Sequence, residues 1–221
     1  MTEQILLIED PDGFELVRNA IGQILVEEMA NQKNLAIAKS LDPAPWDIPV
    51  FLERSHPWDA LNAGIGSSLI NVWYDNSNTE GAKSNSVNQQ SQSVFNIECI
   101  ASVKTKETDT GQISGDEATQ IEVQRIARIV RQIIMHPKYM TLGLTQVVGK
   151  RWMGSRQAFQ PNSGQLPVNN VSACRLQFYA SHLESVTFDD LTTSEQALVT
   201  IYTDTEHENI KFQALFDWAQ E

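Results

Sequence analysis

The chain has 221 residues, 41% hydrophobic and 20% charged, and its 28 acids against 16 bases give a net charge of −12. That length can enclose a full core, while the acidic total argues against tight DNA binding, which needs a basic surface to displace counterions. No apolar stretch approaches the ~20 residues needed to span a bilayer, and the two cysteines, Cys99 and Cys174, lie far apart, which suits a reducing cytosol rather than a disulfide framework.

Met1 to Asp10 carries Glu3, Glu9 and Asp10 around the short run Ile5 to Ile8 with no basic cluster, so it does not read as a secretory signal. A first helix is predicted to open at Asp10-Pro11, with Asp10 as N-cap and Pro11 at the first helical position. Phe14, Val17, Ile21, Ile24 and Leu25 recur at helical spacing, the pattern fades through Met29 to Leu41, and Pro43 and Pro45 end it. A strand is predicted over Ile48 to Glu53, then a loop through His56-Pro57, Gly64 and Gly66.

Two alternating strands follow between Ser68 and Lys104, Leu69 to Asp75 and Val94 to Val103, around an 18-residue polar insert, Asn76 to Ser93, of which 12 residues are Ser, Asn or Gln. Such a segment buries too little apolar surface to order alone, so a neighbouring subunit or partner is expected to order it. Phe95, Ile97, Cys99, Ala101 and Val103 alternate with Asn96, Glu98 and Ser102, which predicts one buried and one mostly wet face. Ser114-Gly115-Asp116-Glu117 matches a capping box and opens a second helix that ends before Pro137. Ala118, Ile126, Ile129, Val130 and Ile133 form its apolar arc; Arg125, Arg128 and Arg131 share the opposite side.

Two more strands are predicted, Val147 to Phe159 and Val171 to Leu183, joined by the turn-rich Gln160 to Gly164. The remaining segment has an alternating stretch, Ala197 to Thr203, and ends with Phe212, Phe216 and Trp218. The fold class is therefore α+β: a mainly antiparallel sheet, two packed helices and a long projecting β-hairpin. One domain is expected over residues 1–183, with an acidic extension over 184–221.

Charge is spread unevenly. Residues 182–221 hold nine acids against Lys211, or −8 of the −12, while residues 120–160 hold seven bases against Glu122. That asymmetry favours protein partners, including a second copy of the same chain. The candidate interface residues are Arg125, Arg128, Arg131, Arg151 and Arg156, opposed by Asp189 and Asp190, with Phe216 and Trp218 as aromatic anchors.

Catalytic signatures are missing. His56, His136, His182 and His207 are scattered without metal-ligand spacing, and there is no phosphate loop, Gly-x-Gly-x-x-Gly or Gly-x-Ser-x-Gly elbow. No catalytic residue, metal or cofactor is assigned. The competing reading is an enzyme or small-ligand protein with a pocket around Trp73, Tyr74 and Trp152; convergence of cysteines or histidines with a carboxylate in an open cleft would support it.

The element order, with the phrases Ile70-Asn71-Val72-Trp73-Tyr74-Asp75-Asn76-Ser77, Asn96-Ile97-Glu98-Cys99, Glu122-Val123-Gln124-Arg125 and Arg151-Trp152-Met153-Gly154-Ser155-Arg156-Gln157-Ala158-Phe159-Gln160-Pro161, resembles tail-terminator and neck proteins of tailed bacteriophages over residues 10–183. The resemblance implies a tail-terminator-like α+β subunit of the virion, assembled in the host cytoplasm. It would form a sixfold ring on the tail tube and join the tube to the head-completion or connector protein. A head-closure or connector adaptor is the alternative role, the tail sheath is a further candidate partner, and DNA would pass through the ring without specific binding. No membrane is involved.

Overall fold

A computed structural model describes residues 11–62, 66–79, 88–108, 111–161, 171–185, 198–204 and 209–215. The fold is α+β, as expected. The chain divides into two units, residues 11–185 and residues 1–10 with 186–221, so the predicted boundary at 183/184 falls inside a strand.

The first unit is a five-stranded sheet in the order β1-β2-β3-β7-β6. Its strands are β1 (Val50–Leu52), β2 (Ser68–Thr79), β3 (Asn88–Ser102), β6 (Val148–Phe159) and β7 (Val171–Ser185), and α1 (Gly13–Ala38) and α3 (Gly115–Ile134) are its two long helices. A short helix, α2 (Asp59–Asn62), and a small hairpin of β4 (Lys106–Thr108) and β5 (Gly111–Ile113) complete it. Among the described strands, only the β1–β2 pair is parallel. Both long helices pack on one sheet face. Cross-strand rows meet them there: Ile70, Cys99 and Cys174; Val72, Ile97 and Leu176; Tyr74, Phe95 and Phe178. Phe95 and Phe178 are fully buried opposite one another, each burial worth about 1.5–3 kcal/mol.

α1 starts later than Pro11. Asp12 takes the N-cap position and its amide donates to Glu15 Oε2 at 3.0 Å, because the first turn must sit against β7. A Cβ at Gly13 would lie 2.6 Å from the Leu183 carbonyl oxygen, so glycine permits the approach. The Gly13 amide donates to Glu184 Oε2 at 2.7 Å, placing a carboxylate at the helix's positive end. In α3, Ser114 is the N-cap as predicted, but its side chain caps no backbone amide. Its hydroxyl engages the Asp116 carboxyl and holds that group below its ordinary range. Ala118, Ile126, Ile129, Val130 and Ile133 are all buried.

Two expectations change. The polar insert is strand at both ends: residues 76–79 pair with 91–94, and residues 88–93 pair on their other side with 180–185 of β7. Order there comes from within the chain, through two ladders and hydroxyl contacts such as Ser77–Ser93 at 2.6 Å and Thr79–Ser91 at 3.0 Å. Residues 80–87, the rest of the insert, lie outside the described residues. The face read as wet is also covered in its middle: Asn96 is 1% and Glu98 5% exposed. Strand alternation separates two faces without saying whether the second is dry.

The second unit contains an antiparallel hairpin of β8 (Leu198–Asp204) and β9 (Asn209–Leu215).

Candidate functional site

The sheet's pairing pattern brings Arg156 to the arginine stripe of α3. Arg156 opposes Leu176 on the helix-covered face, at the β6 edge beside α3. There Arg125, Arg128, Arg131 and Arg156, with Ile121 and Gln124, line a concavity of about 640 Å³. Arg125 forms one wall and is already engaged. Its Nε and Nη2 donate to Glu122 at 2.8 and 2.7 Å, Nη2 donates to the Pro45 carbonyl, and the guanidinium lies 5.8 Å from the Trp46 ring centre. Arg128 and Arg131 are exposed and make no ion pair among the described residues. Arg156 donates from Nε to Cys174 Sγ at 3.3 Å and is otherwise turned outward.

Arg151 does not join them. Its guanidinium donates to the carbonyls of Ile134, His136 and Met140, closing the carbonyl end of α3, where unpaired C=O groups collect. Burial lowers its pKa from the ordinary guanidinium value. Its guanidinium is thus engaged within the chain. The opposing candidates Asp189, Asp190, Phe216 and Trp218 lie outside the described residues.

Sheet edges supply the second feature. β1 pairs with β2 only as far as Val72, and Glu53 Oε1 accepts the Tyr74 amide at 3.0 Å. Beyond that, no strand among the described residues pairs with the outer edge of β2, residues 75–79. β6 forms the opposite edge, yet its register shifts twice, between Val148 and Arg151 and between Met153 and Arg156, and it carries the exposed Lys150. Bulges and basic side chains are how an exposed edge is kept from pairing. The β2 edge has one register shift, at Tyr74/Asn76, and one charge, Asp75, followed by Asn76, Ser77, Asn78 and Thr79. It is the less protected edge.

The groups that would mark an enzyme are placed differently. Cys99 and Cys174 are directly opposed on β3 and β7, both buried, and burial pushes the Cys99 thiol up. His56 lies 5.4 Å from the Trp58 ring, and His136 Nδ1 accepts the Lys138 amide at 3.2 Å. His207 lies outside the described residues, among which no group of three or more His, Cys, Asp or Glu could hold a metal. Ser93 Oγ lies 2.6 Å from His182 Nε2, and His182 Nδ1 lies 3.4 Å from Glu184 Oε1. That order suggests nucleophile, base and acid, but Ser93 is fully buried and His182 1% exposed, so no substrate reaches the hydroxyl. Ser93 and His182 are 89 residues apart, and no local motif announces their meeting.

Trp73, Tyr74 and Trp152 do not converge. Tyr74 packs against Phe14 and Phe95 on the helix side, and Trp152 stacks on Tyr179 at 5.2 Å. Trp73 lies instead over Arg175, whose guanidinium sits 5.2 Å from Trp73 and 5.0 Å from Phe159. Arg175 donates from Nε and Nη2 to Glu98 Oε1 at 3.1 and 2.7 Å. Alternation alone could not find this pair, because Glu98 and Arg175 are 77 residues apart and become neighbours only through the β3–β7 register.

No helix among the described residues is long and apolar enough to cross a membrane. No family model matches the chain, and no curated protein matches it at a significant level.

Proposed function

We propose that this chain is a structural virion subunit, a tail terminator that forms a ring on the end of the phage tail tube and joins it to the head-completion complex. The observation that carries the reading is the weakly protected outer edge of β2. An open strand edge offers a row of amide and carbonyl groups to an added strand, and natural folds that do not use such an edge blunt it, as β6 is blunted here by two bulges. Two of the phrases behind the resemblance lie on these two edges: Ile70 to Ser77 on β2, and Arg151 to Pro161 on and just beyond β6. The arginine concavity is a second exposed feature suited to a protein partner. Head-to-tail contacts of this kind, between different surfaces of identical subunits, close into a ring when the rotation allows.

Electron microscopy of the purified protein mixed with tail tubes tests the proposal. Density capping tube ends is expected. Bare ends under assembly conditions would contradict it, and binding to isolated capsid portals but not to tubes would assign the chain to the connector instead.

A further inference from the structure

We infer that the concavity between α3 and β6 is the receptor for the acidic C-terminal segment of a second copy of this chain, an inference that rests on reading the chain as a self-assembling subunit. Four guanidinium groups line one shallow depression, Arg125, Arg128, Arg131 and Arg156. Three of them follow one another at intervals of three residues on α3, where like charges repel. Among the described residues, Arg125 alone of the four has a carboxylate partner, that of Glu122. The remaining positive charge is gathered without compensation, and an incoming carboxylate pair would relieve it, since guanidinium forks match carboxylates in bidentate geometry.

The chain itself contains the complement. Residues 186–221, beyond β7, hold eight acids and one base, with Asp189 and Asp190 adjacent. Phosphate chemistry would suit guanidinium groups equally well, and the −12 net charge opposes a nucleic-acid polyanion and a second copy alike at long range, so local contacts discriminate between them. The exposed side chain of Ile121, 54% accessible at the rim, gives that segment an apolar contact that a nucleic-acid backbone would not use.

Sedimentation velocity of the full chain, at about 50 and about 500 mM salt, reads the contact, because charge attraction between exposed groups is largely screened at the higher value. Self-association at low salt that weakens at high salt is expected. The double variant Arg128→Glu/Arg131→Glu and the double variant Asp189→Lys/Asp190→Lys should each weaken association roughly tenfold or more. An equimolar mixture of the two should recover it, because each then presents the charge that the other lacks. Circular dichroism confirms that both variants fold; Arg128 and Arg131 are exposed, so their reversal leaves the core untouched. A wild-type chain that stays monomeric at every concentration would overturn the inference, as would unchanged association of the arginine variant or failure of the mixture to recover. Binding of a duplex oligonucleotide that the arginine variant loses would also overturn it, by assigning the depression to phosphate. Normal charge-swap recovery alongside failure to cap tail tubes would leave this contact standing and remove the neck role.

Discussion

Acidification from about pH 7.5 to about 5.5 should destabilise the fold through one buried imidazole, that of His182, whose free value is about 6.5. His182 is 1% exposed, accepts or donates through Nε2 to Ser93, and has no hydrogen-bond partner at Nδ1. Burial lowers its pKa, and the nearby Glu184 carboxylate opposes that shift only in part. A Cβ on Gly13 would lie 2.8 Å from Nδ1, so the first turn of α1 packs closely on the ring and helps keep it from water. With the folded pKa depressed, the unfolded chain binds the extra proton, so stability is complete above about 6.5 and falls as the pH drops below it, by at most about 1.4 kcal/mol per unit. Across the stated window the ceiling is therefore about 1.4 kcal/mol. Glu28 and Asp116, both held below their ordinary carboxyl values, titrate at more acid pH and stay outside it. Urea unfolding of wild type and His182→Gln at both pH values checks the reasoning, since glutamine can keep a contact to Ser93 without titrating. The expected result is a loss in wild type that is absent or much reduced in the variant. Equal losses in both would place the loss in groups other than His182, and a wild type that gains stability on acidification would show that pairing with Glu184 outweighs burial.

Other outcomes follow from the same packing. Gly13→Ala should cost about 1–3 kcal/mol in urea unfolding, because the new Cβ meets a backbone oxygen of Leu183 at 2.6 Å; a neutral result would mean that α1 can shift away from β7. Arg151→Met should cost about 1–3 kcal/mol by leaving the carbonyls of Ile134 and Met140 without the donor that Arg151 supplies and that of His136 with the Tyr139 amide alone, and hydrogen exchange should rise first in the last turn of α3. Glu98→Ala should destabilise by about 1–3 kcal/mol, less than the full penalty for an unpaired buried charge, because Arg175 keeps 33% exposure and two aromatic faces; tryptophan fluorescence, compared in a Trp73→Phe background, should register the change at Trp73.

Periodicity made the helices legible. The spacing of Val17, Ile21, Ile24 and Leu25, and of Ile126, Ile129, Val130 and Ile133, is set by burial against one sheet face, and burial is what residue type reports best. The start of α1 was less legible: Asp10 and Asp12 are both capable caps, and the fit of Gly13 against Leu183 is a long-range fact. The ends of the hairpin are hidden from sequence for a related reason. Asn, Ser and Gln have weak strand preference, but β7 supplies a second ladder along residues 88–93, and sequence does not show that a polar strand lies between two others. In the candidate site, the stripe of Arg125, Arg128 and Arg131 followed from helical spacing, whereas the inclusion of Arg156 and the diversion of Arg151 to the end of α3 depend on two register shifts in β6. The pairing of Glu98 with Arg175 belongs to the same class of long-range fact.

The β2 edge is where the account is most exposed to contradiction. Asn76→Lys with Asn78→Lys places two charges on exposed positions of that strand, the device by which edges are normally closed to partners, while sparing the Ser77 and Thr79 contacts to β3. The decisive measurement is the fraction of tail-tube ends capped by this variant and by wild type, counted by electron microscopy at equal protein concentration. The account predicts a folded variant that leaves most ends bare where wild type caps them; equal capping by the two would contradict it.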